Sequence, residues 1–152
     1  MVDSVHSGYK EAAQVVTWPI DGPESLATLV WSGLSDSIDN SSLKYLFADF
    51  ELQIMFPTIA AASGETVALY LIPLFDDSTD PNWTKNSAVA EEENEQYFIG
   101  SFTVTEVITN QRHVLRNVAM PPGVFKLGMR NNSVGTSTTA TLSFRRWNFA
   151  SQ

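Results

Sequence analysis

The chain has 152 residues, 43% of them hydrophobic and 11% aromatic, which is enough for one packed core and argues against global disorder. Its net charge of −8 repels phosphate backbones and anionic bilayers, so we expect no nucleic acid and no membrane among its partners. Because the sequence contains no cysteine, disulfides, thiolate nucleophiles and cysteine-bound metals are excluded.

The first forty residues show little periodicity. We predict one domain over residues 1–152, with residues 1–20 as an N-terminal arm, since chain ends are often loosely held. The beginning of the chain has neither the basic nor the apolar stretch of a signal peptide, so we expect synthesis in a cytoplasm. Residues 12–18 and 26–31 resemble short strands, and residues 24–31 are the best, though short, helical candidate.

Residues 38–41 have the composition of a turn, and the clearest strand of the chain follows them. Between residues 46 and 56, apolar and polar side chains alternate with a period of two, which is typical of a strand with one buried and one wet face. The predicted buried residues are Leu46, Ala48, Phe50, Leu52, Ile54 and Phe56. The predicted wet face carries Asp49, Glu51 and Gln53.

Residues 66–75 are apolar on both faces, which predicts a central strand covered on both sides. Residues 63–65 have the composition of a turn. We therefore predict a hairpin between this strand and the preceding one. Residues 76–95 form a polar loop, and it ends in the acidic run 91–95.

Strand signals return after the loop. Residues 96–105 place Phe98, Phe102 and Val104 on one face, and a weaker strand follows around Val114, Arg116 and Val118. A predicted turn at residues 120–123 precedes a strand at residues 124–130, and a second turn at residues 131–135 precedes the last strand, at residues 138–149. About eight short strands with turns between them predict an all-β fold, an antiparallel β-sandwich of the jelly-roll type.

Residues capable of chemistry are few and scattered. His113 could act as a base, but no nucleophile motif accompanies it, and His6 lies in the predicted arm. Asp49 and Glu51 imitate a glycosidase carboxylate pair, although polar-out alternation explains them fully. We therefore predict no enzyme, with no catalytic, cofactor-binding or metal-binding residue.

Three further features keep alternatives open. Asp76, Asp77 and Asp80 could bind calcium, although their spacing departs from an EF-hand and a solvated turn accounts for them. Trp83 lies in the polar loop, where it could stack on a sugar, anchor a partner or fold back on the core. Arg145 and Arg146 form a basic spot, which we interpret as a salt bridge or a subunit contact.

Turn and strand motifs lie at residues 35–41, 45–52, 67–73, 76–77, 83–84, 120–127 and 130–133. A turn of serine, acidic residue, isoleucine and asparagine leads into a strand, and a proline-rich turn, a strand and an arginine–asparagine turn follow near the end. Loosely, over residues 18–148, this succession resembles a pattern found in small virion proteins of tailed bacteriophages.

The resemblance implies a jelly-roll decoration or cement protein that binds and stabilises the shell of the major capsid protein. It further implies a homotrimer on the capsid exterior of the virion, with no catalytic residue to carry over. The alternative from another class is a carbohydrate-binding β-sandwich module. In that module Trp83, Tyr97 and Trp147 would stack on sugars, and the loop aspartates would hold calcium.

Overall fold

The computed structural model describes residues 11–42, 44–56, 64–74, 97–105 and 109–148. Within these residues eight strands form two antiparallel sheets. The strands are β1 (Gln14–Val15), β2 (Ile38–Asp39), β3 (Phe47–Met55), β4 (Thr66–Pro73), β5 (Phe98–Thr103), β6 (Gln111–Ala119), β7 (Val124–Asn131) and β8 (Thr139–Trp147). No helix in this part of the chain is long and apolar enough to cross a membrane.

The strand order defines a jelly roll. Sheet A has the order β1-β8-β3-β6, and sheet B has the order β2-β7-β4-β5. The first strand therefore pairs with the last, β2 with β7, β3 with β6 and β4 with β5. This nested antiparallel pairing, divided between two sheets, is typical of a jelly roll. This topology confirms the predicted all-β, jelly-roll class.

Two of the strongest sequence patterns form the inner faces of the sandwich. Ala48, Phe50, Leu52 and Ile54 of β3 are buried at 0–2% exposure, and β8 contributes Ala140, Leu142 and Phe144 beside them. Leu46 is wrong as a core residue: it precedes β3 and is 54% exposed. The strand β4 is buried over Val67–Ile72 and lies inside sheet B, which confirms the predicted central strand.

The predicted hairpin between β3 and β4 is wrong. The two strands belong to different sheets, because β3 pairs with β6 and β8 while β4 pairs with β5 and β7. The ten residues between Met55 and Thr66 exceed the two-to-five-residue loops that close most hairpins, at roughly twice that length. Apolar periodicity identifies a buried face, but it carries no information about which strand lies alongside.

A β-bulge reverses the predicted orientation of Phe98. The pairing of β4 with β5 shifts between Leu69 and Tyr70, so that Leu69 faces Gly100 while Tyr70 faces Phe98. Phe98 therefore lies on the outer face of sheet B, 50% exposed, with its ring 5.7 Å from that of Tyr70. Phe102 and Val104 point into the core as predicted.

Residues 26–31 are not the predicted strand, and the helical candidate shrinks to a 3-10 turn at Pro23–Ser25. Instead, this part of the chain runs irregularly along the edge of β7, where an isolated bridge joins Trp31 to Arg130. The hydroxyls of Ser32 and Ser35 accept hydrogen bonds of 2.9 Å from the backbone N–H groups of Met129 and Leu127. These buried hydroxyl oxygens thus accept hydrogen bonds from backbone N–H groups of β7, which the carbonyl groups of a regular neighbouring strand would otherwise accept.

The segment predicted as a turn at residues 38–41 contains β2 before the chain turns at residues 41–42. Of the predicted arm, residues 1–10 lie outside the described residues. Residues 14–15 form β1 on the edge of sheet A, where they pair with Phe144 and Ser143.

Candidate functional site

The two sheets differ in what covers their outer faces. On sheet B, Trp31 packs against Tyr70 with ring centroids 4.8 Å apart, and both side chains are buried together with Ala68 and Ile72. On sheet A the outward side chains of β3, β6 and β8 are exposed or half-buried. No segment in the described part of the chain covers the outer surface of sheet A, and this surface is the candidate functional site.

We call this surface the sheet A face. A shallow depression of about 380 Å³ lies at its centre. The depression is lined by Ala13, Asp49, Phe50, Glu51, Arg112, Val114, Arg116, Ser143, Phe144 and Arg145. The face comprises the outward residues Asp49, Glu51, Arg112, Val114, Arg116, Ser143 and Arg145, with Phe47 and Trp147 at one end.

The register of the strands arranges these side chains in rows. Asp49 on β3 faces Arg145 on β8, and Glu51 faces Ser143 on one side and Val114 on the other. The pairing of β3 with β6 shifts between Ala48 and Phe50, because Asn117 bulges with a φ of 58°. At this bulge the backbone N–H of Asn117 donates to Asp49 Oδ1 at 3.0 Å.

Asp49 also accepts a hydrogen bond from Trp147. The indole Nε1–H donates to Asp49 Oδ1 at 3.3 Å, and the Trp147 ring stacks on Phe47 with centroids 4.8 Å apart and planes at 23°. The Asp49 carboxylate is therefore held by the bulge on one side and by the aromatic pair on the other. This arrangement gives the face a fixed shape at that end.

Glu51 forms a salt bridge with Arg112, with 2.9 Å between Oε1 and the guanidinium Nη2. Hydrogen bonds from Arg112 and then from Gln53 lower the pKa of Glu51, and the same pair raises the pKa of Arg112. The Arg112 side chain is 68% exposed, so the pair lies in high-dielectric surroundings and contributes little to folding. Its main effect is to orient both charged groups on the face.

Arg145 and Arg146 are neighbours in sequence with opposite environments. Arg145 points outward onto the sheet A face and is exposed. Arg146 is buried, and its guanidinium binds Glu11 through Nε–Oε2 and Nη2–Oε1 contacts of 2.6 and 2.9 Å. It also lies 5.0 Å from the Tyr45 ring centroid. The salt-bridge interpretation is thus confirmed for Arg146.

His113 is half-buried and points away from the sheet A face. It pairs across the sheet with the buried Leu52, and its Nε2 lies 3.0 Å from Gln111 Oε1. Burial lowers the pKa of His113, which favours the neutral imidazole. Because Asp49 and Glu51 lie on the opposite face, His113 is not positioned to work with either carboxylate.

The other predicted candidates lie outside the described residues: His6, Asp76, Asp77, Asp80, Trp83 and the acidic run 91–95. Among residues that are described, no group of three histidine, aspartate or glutamate side chains is placed to hold a metal ion. Tyr97 packs on the outer cluster of sheet B, so it and Trp147 lie on different sheets.

Sequence reasoning missed Arg112 and Arg116 as members of a common surface. The spacing of Arg112, Val114 and Arg116 at every second residue was the available signal, because such side chains share one face of a strand. The sequence pattern does not reveal that β6 pairs with β3, and it is this pairing that brings the two arginines beside Asp49 and Glu51.

No protein-family model matches the chain, and no curated protein matches it in sequence. Similar solved structures include a carbohydrate-binding module, CBM36 in complex with calcium and xylotriose, at 13% identity and a TM-score of 0.44. That match covers 95% of this chain and 94% of the module. The PRD1 vertex protein P5 is similar at 11% identity and a TM-score of 0.45, over 91% of this chain and 96% of P5.

A third similar structure is the dimeric latent PorU of Porphyromonas gingivalis, at 10% identity and a TM-score of 0.47. The match covers 93% of this chain and 13% of PorU. At such identities and scores these likenesses concern the sandwich architecture, and they assign no function to the sheet A face.

Proposed function

We propose that the chain is a virion structural protein, a decoration or cement subunit that binds the shell of major capsid protein of a tailed bacteriophage from outside. The observation that carries this proposal is the sheet A face, whose outward side chains no other described segment covers. In the same proposal the chain is a single non-enzymatic domain over residues 1–152, has an N-terminal arm within residues 1–20, and forms homotrimers on the capsid.

The composition of the sheet A face favours a protein partner. Arginine and aromatic side chains are enriched in protein interfaces and dominate their binding energy. The face offers Arg116, Arg145, Trp147 and Phe47 around the apolar Val114, which is 49% exposed. The two inner strands, β3 and β8, are each hydrogen-bonded to a neighbouring strand on both sides. The surface is therefore preorganised and loses little conformational entropy when it binds a partner.

The placement of the ionisable groups favours a binding role over catalysis. Asp49 Oδ1 already accepts two hydrogen bonds, and Glu51 is paired with Arg112, so both carboxylates are engaged within the chain. A general acid requires a carboxyl group with a raised pKa. The pKa of Glu51 is lowered instead.

Particle composition tests the proposal. We expect mass spectrometry of density-gradient-purified virions, from the phage that encodes the chain, to detect it in stoichiometric proportion to the major capsid protein. Virions prepared after deletion of the gene serve as the control and should bind the purified protein again. Absence of the chain from purified virions would refute a structural role.

A carbohydrate-binding module is the second candidate, and the Phe47–Trp147 stack beside Asp49 favours it. A partly exposed aromatic platform with an adjacent hydrogen-bond acceptor is a common arrangement for sugar recognition. Titration with soluble polysaccharides, with and without calcium, would then change the tryptophan fluorescence in a saturable way. The change should disappear in a Trp147→Ala variant, whereas a capsid-binding subunit gives no saturable response.

A further inference from the structure

We propose that the surface bound by the sheet A face carries carboxylate groups, and that Arg116 and Arg145 receive them. The inference rests on the proposed function, since it specifies the chemistry of the shell surface that the face contacts. It follows from how the charges of this chain are distributed and engaged.

Among the described residues, the sheet A face differs in charge from the rest of the surface. Three arginines lie on this face against two carboxylates, whereas the other described residues carry four lysine or arginine side chains against six aspartate or glutamate side chains. An acidic partner is therefore attracted more strongly at this face than at the rest of the described surface. Such a distribution orients the encounter and selects one docking face.

Two of the three arginines are available for a partner. Arg112 is engaged by Glu51 at 2.9 Å. Arg116 and Arg145 are exposed, and within the described ranges neither has an acidic group within ion-pair distance. A planar guanidinium matches a carboxylate in a bidentate fashion, which makes carboxylates from another molecule suitable partners for both side chains.

The carboxylates of the face argue against two other occupants. Asp49 lies between Arg145 and the bulge that follows Arg116, and Glu51 lies in the next row, so a continuous line of phosphates would meet repulsion at both. A second copy of the chain that docked face to face would bring two surfaces of net positive charge together. A protein surface that carries spaced carboxylates, with hydrogen-bond donors between them, complements the positive and negative side chains that alternate on the sheet A face.

Charge reversal tests the inference on intact particles. Phage particles that lack the gene product are mixed with purified protein, and the bound fraction is measured by co-sedimentation as a function of concentration. We expect the double substitution Arg116→Glu and Arg145→Glu to weaken binding by about tenfold to a hundredfold. The matched control is Lys44→Glu, an exposed charge reversal in the turn before β3, which should leave binding unchanged.

Salt gives a second readout on the same samples. Raising the ionic strength from about 0.05 M to about 1 M should weaken wild-type binding and have little effect on the residual binding of the double variant. Equal binding of the wild type and the double variant overturns the inference but leaves the proposed function intact. Loss of wild-type binding after nuclease treatment assigns the arginines to phosphates and also overturns it. Failure of the wild type to bind any particle refutes the proposed function itself.

Discussion

Substitution of Arg146 by alanine should lower the free energy of unfolding by about 3–5 kcal/mol, because one partner of a buried ion pair is removed. The side chain of Arg146 is 8% exposed and that of Glu11 is 19% exposed, so the remaining carboxylate would stay largely desolvated. The substitution also removes a hydrogen bond to the backbone oxygen of Asp39 and the contacts with the rings of Tyr45 and Phe144. Equilibrium denaturation with urea measures the loss.

The neighbouring arginine is the matched control. Arg145→Ala removes an identical side chain one position earlier, on the exposed face, and should change stability by no more than about 0.5 kcal/mol. A combined Glu11→Gln and Arg146→Met substitution should recover part of the loss, because it leaves no unpaired buried charge. Equal stability of the Arg145 and Arg146 variants would contradict the role assigned to the buried pair.

Truncation of Trp31 to alanine should cost about 3–5 kcal/mol, the range observed when a large buried aromatic side chain is removed. Trp31 is 0% exposed and packs on Tyr70, and the guanidinium of Arg130 lies 5.0 Å from its ring centroid. Its removal opens a cavity on the outer side of sheet B and loosens the irregular segment that runs along β7. Thermal unfolding and urea denaturation should both report the loss.

Trp147→Ala provides the comparison on the other sheet. Trp147 is only half-buried on the sheet A face, where it stacks on Phe47, so its truncation should cost clearly less. The contrast checks the difference between a covered and an uncovered outer face. Equal losses for the two tryptophans would show that sheet A is covered as extensively as sheet B.

The fold class was predictable because the rule that governs it is local. The alternation in β3 and the double-sided apolarity of β4 follow directly from which faces of each strand are buried. The partners of these strands were not predictable, because pairing in a jelly roll joins residues far apart in sequence, as Phe47 joins Trp147. The false hairpin between β3 and β4 has this origin.

Irregular positions account for the remaining errors. A bulge of one residue between Gly100 and Phe98 places Phe98 on the outer face of sheet B. The alternation of apolar and polar residues in the sequence cannot reveal such an inserted residue. Along β7 the hydroxyls of Ser32 and Ser35 take the place of a regular strand. Serines in a weakly periodic segment resemble loop residues in sequence, although here they are buried.

The candidate site was only partly visible in the sequence. The outward positions of Asp49 and Glu51 followed from alternation, and the structure places them there. Their assembly with Arg112 and Arg116 into one surface depends on three strands meeting in the order β8-β3-β6. Arg145 and Arg146 lie on opposite faces of β8, as alternation requires, but sequence spacing does not give the pairing of Arg146 with Glu11.

Hydroxyl-radical footprinting of the chain, free and bound to phage particles, tests most directly whether the sheet A face is the docking surface. Particle binding should protect Phe47 and Trp147 from oxidation, whereas Phe98 and Leu29, which are 50% and 44% exposed away from that face, should react as in the free protein. Unchanged oxidation of the sheet A face, together with protection of Phe98 or Leu29 on the particle, would contradict the assignment and move the interface to sheet B.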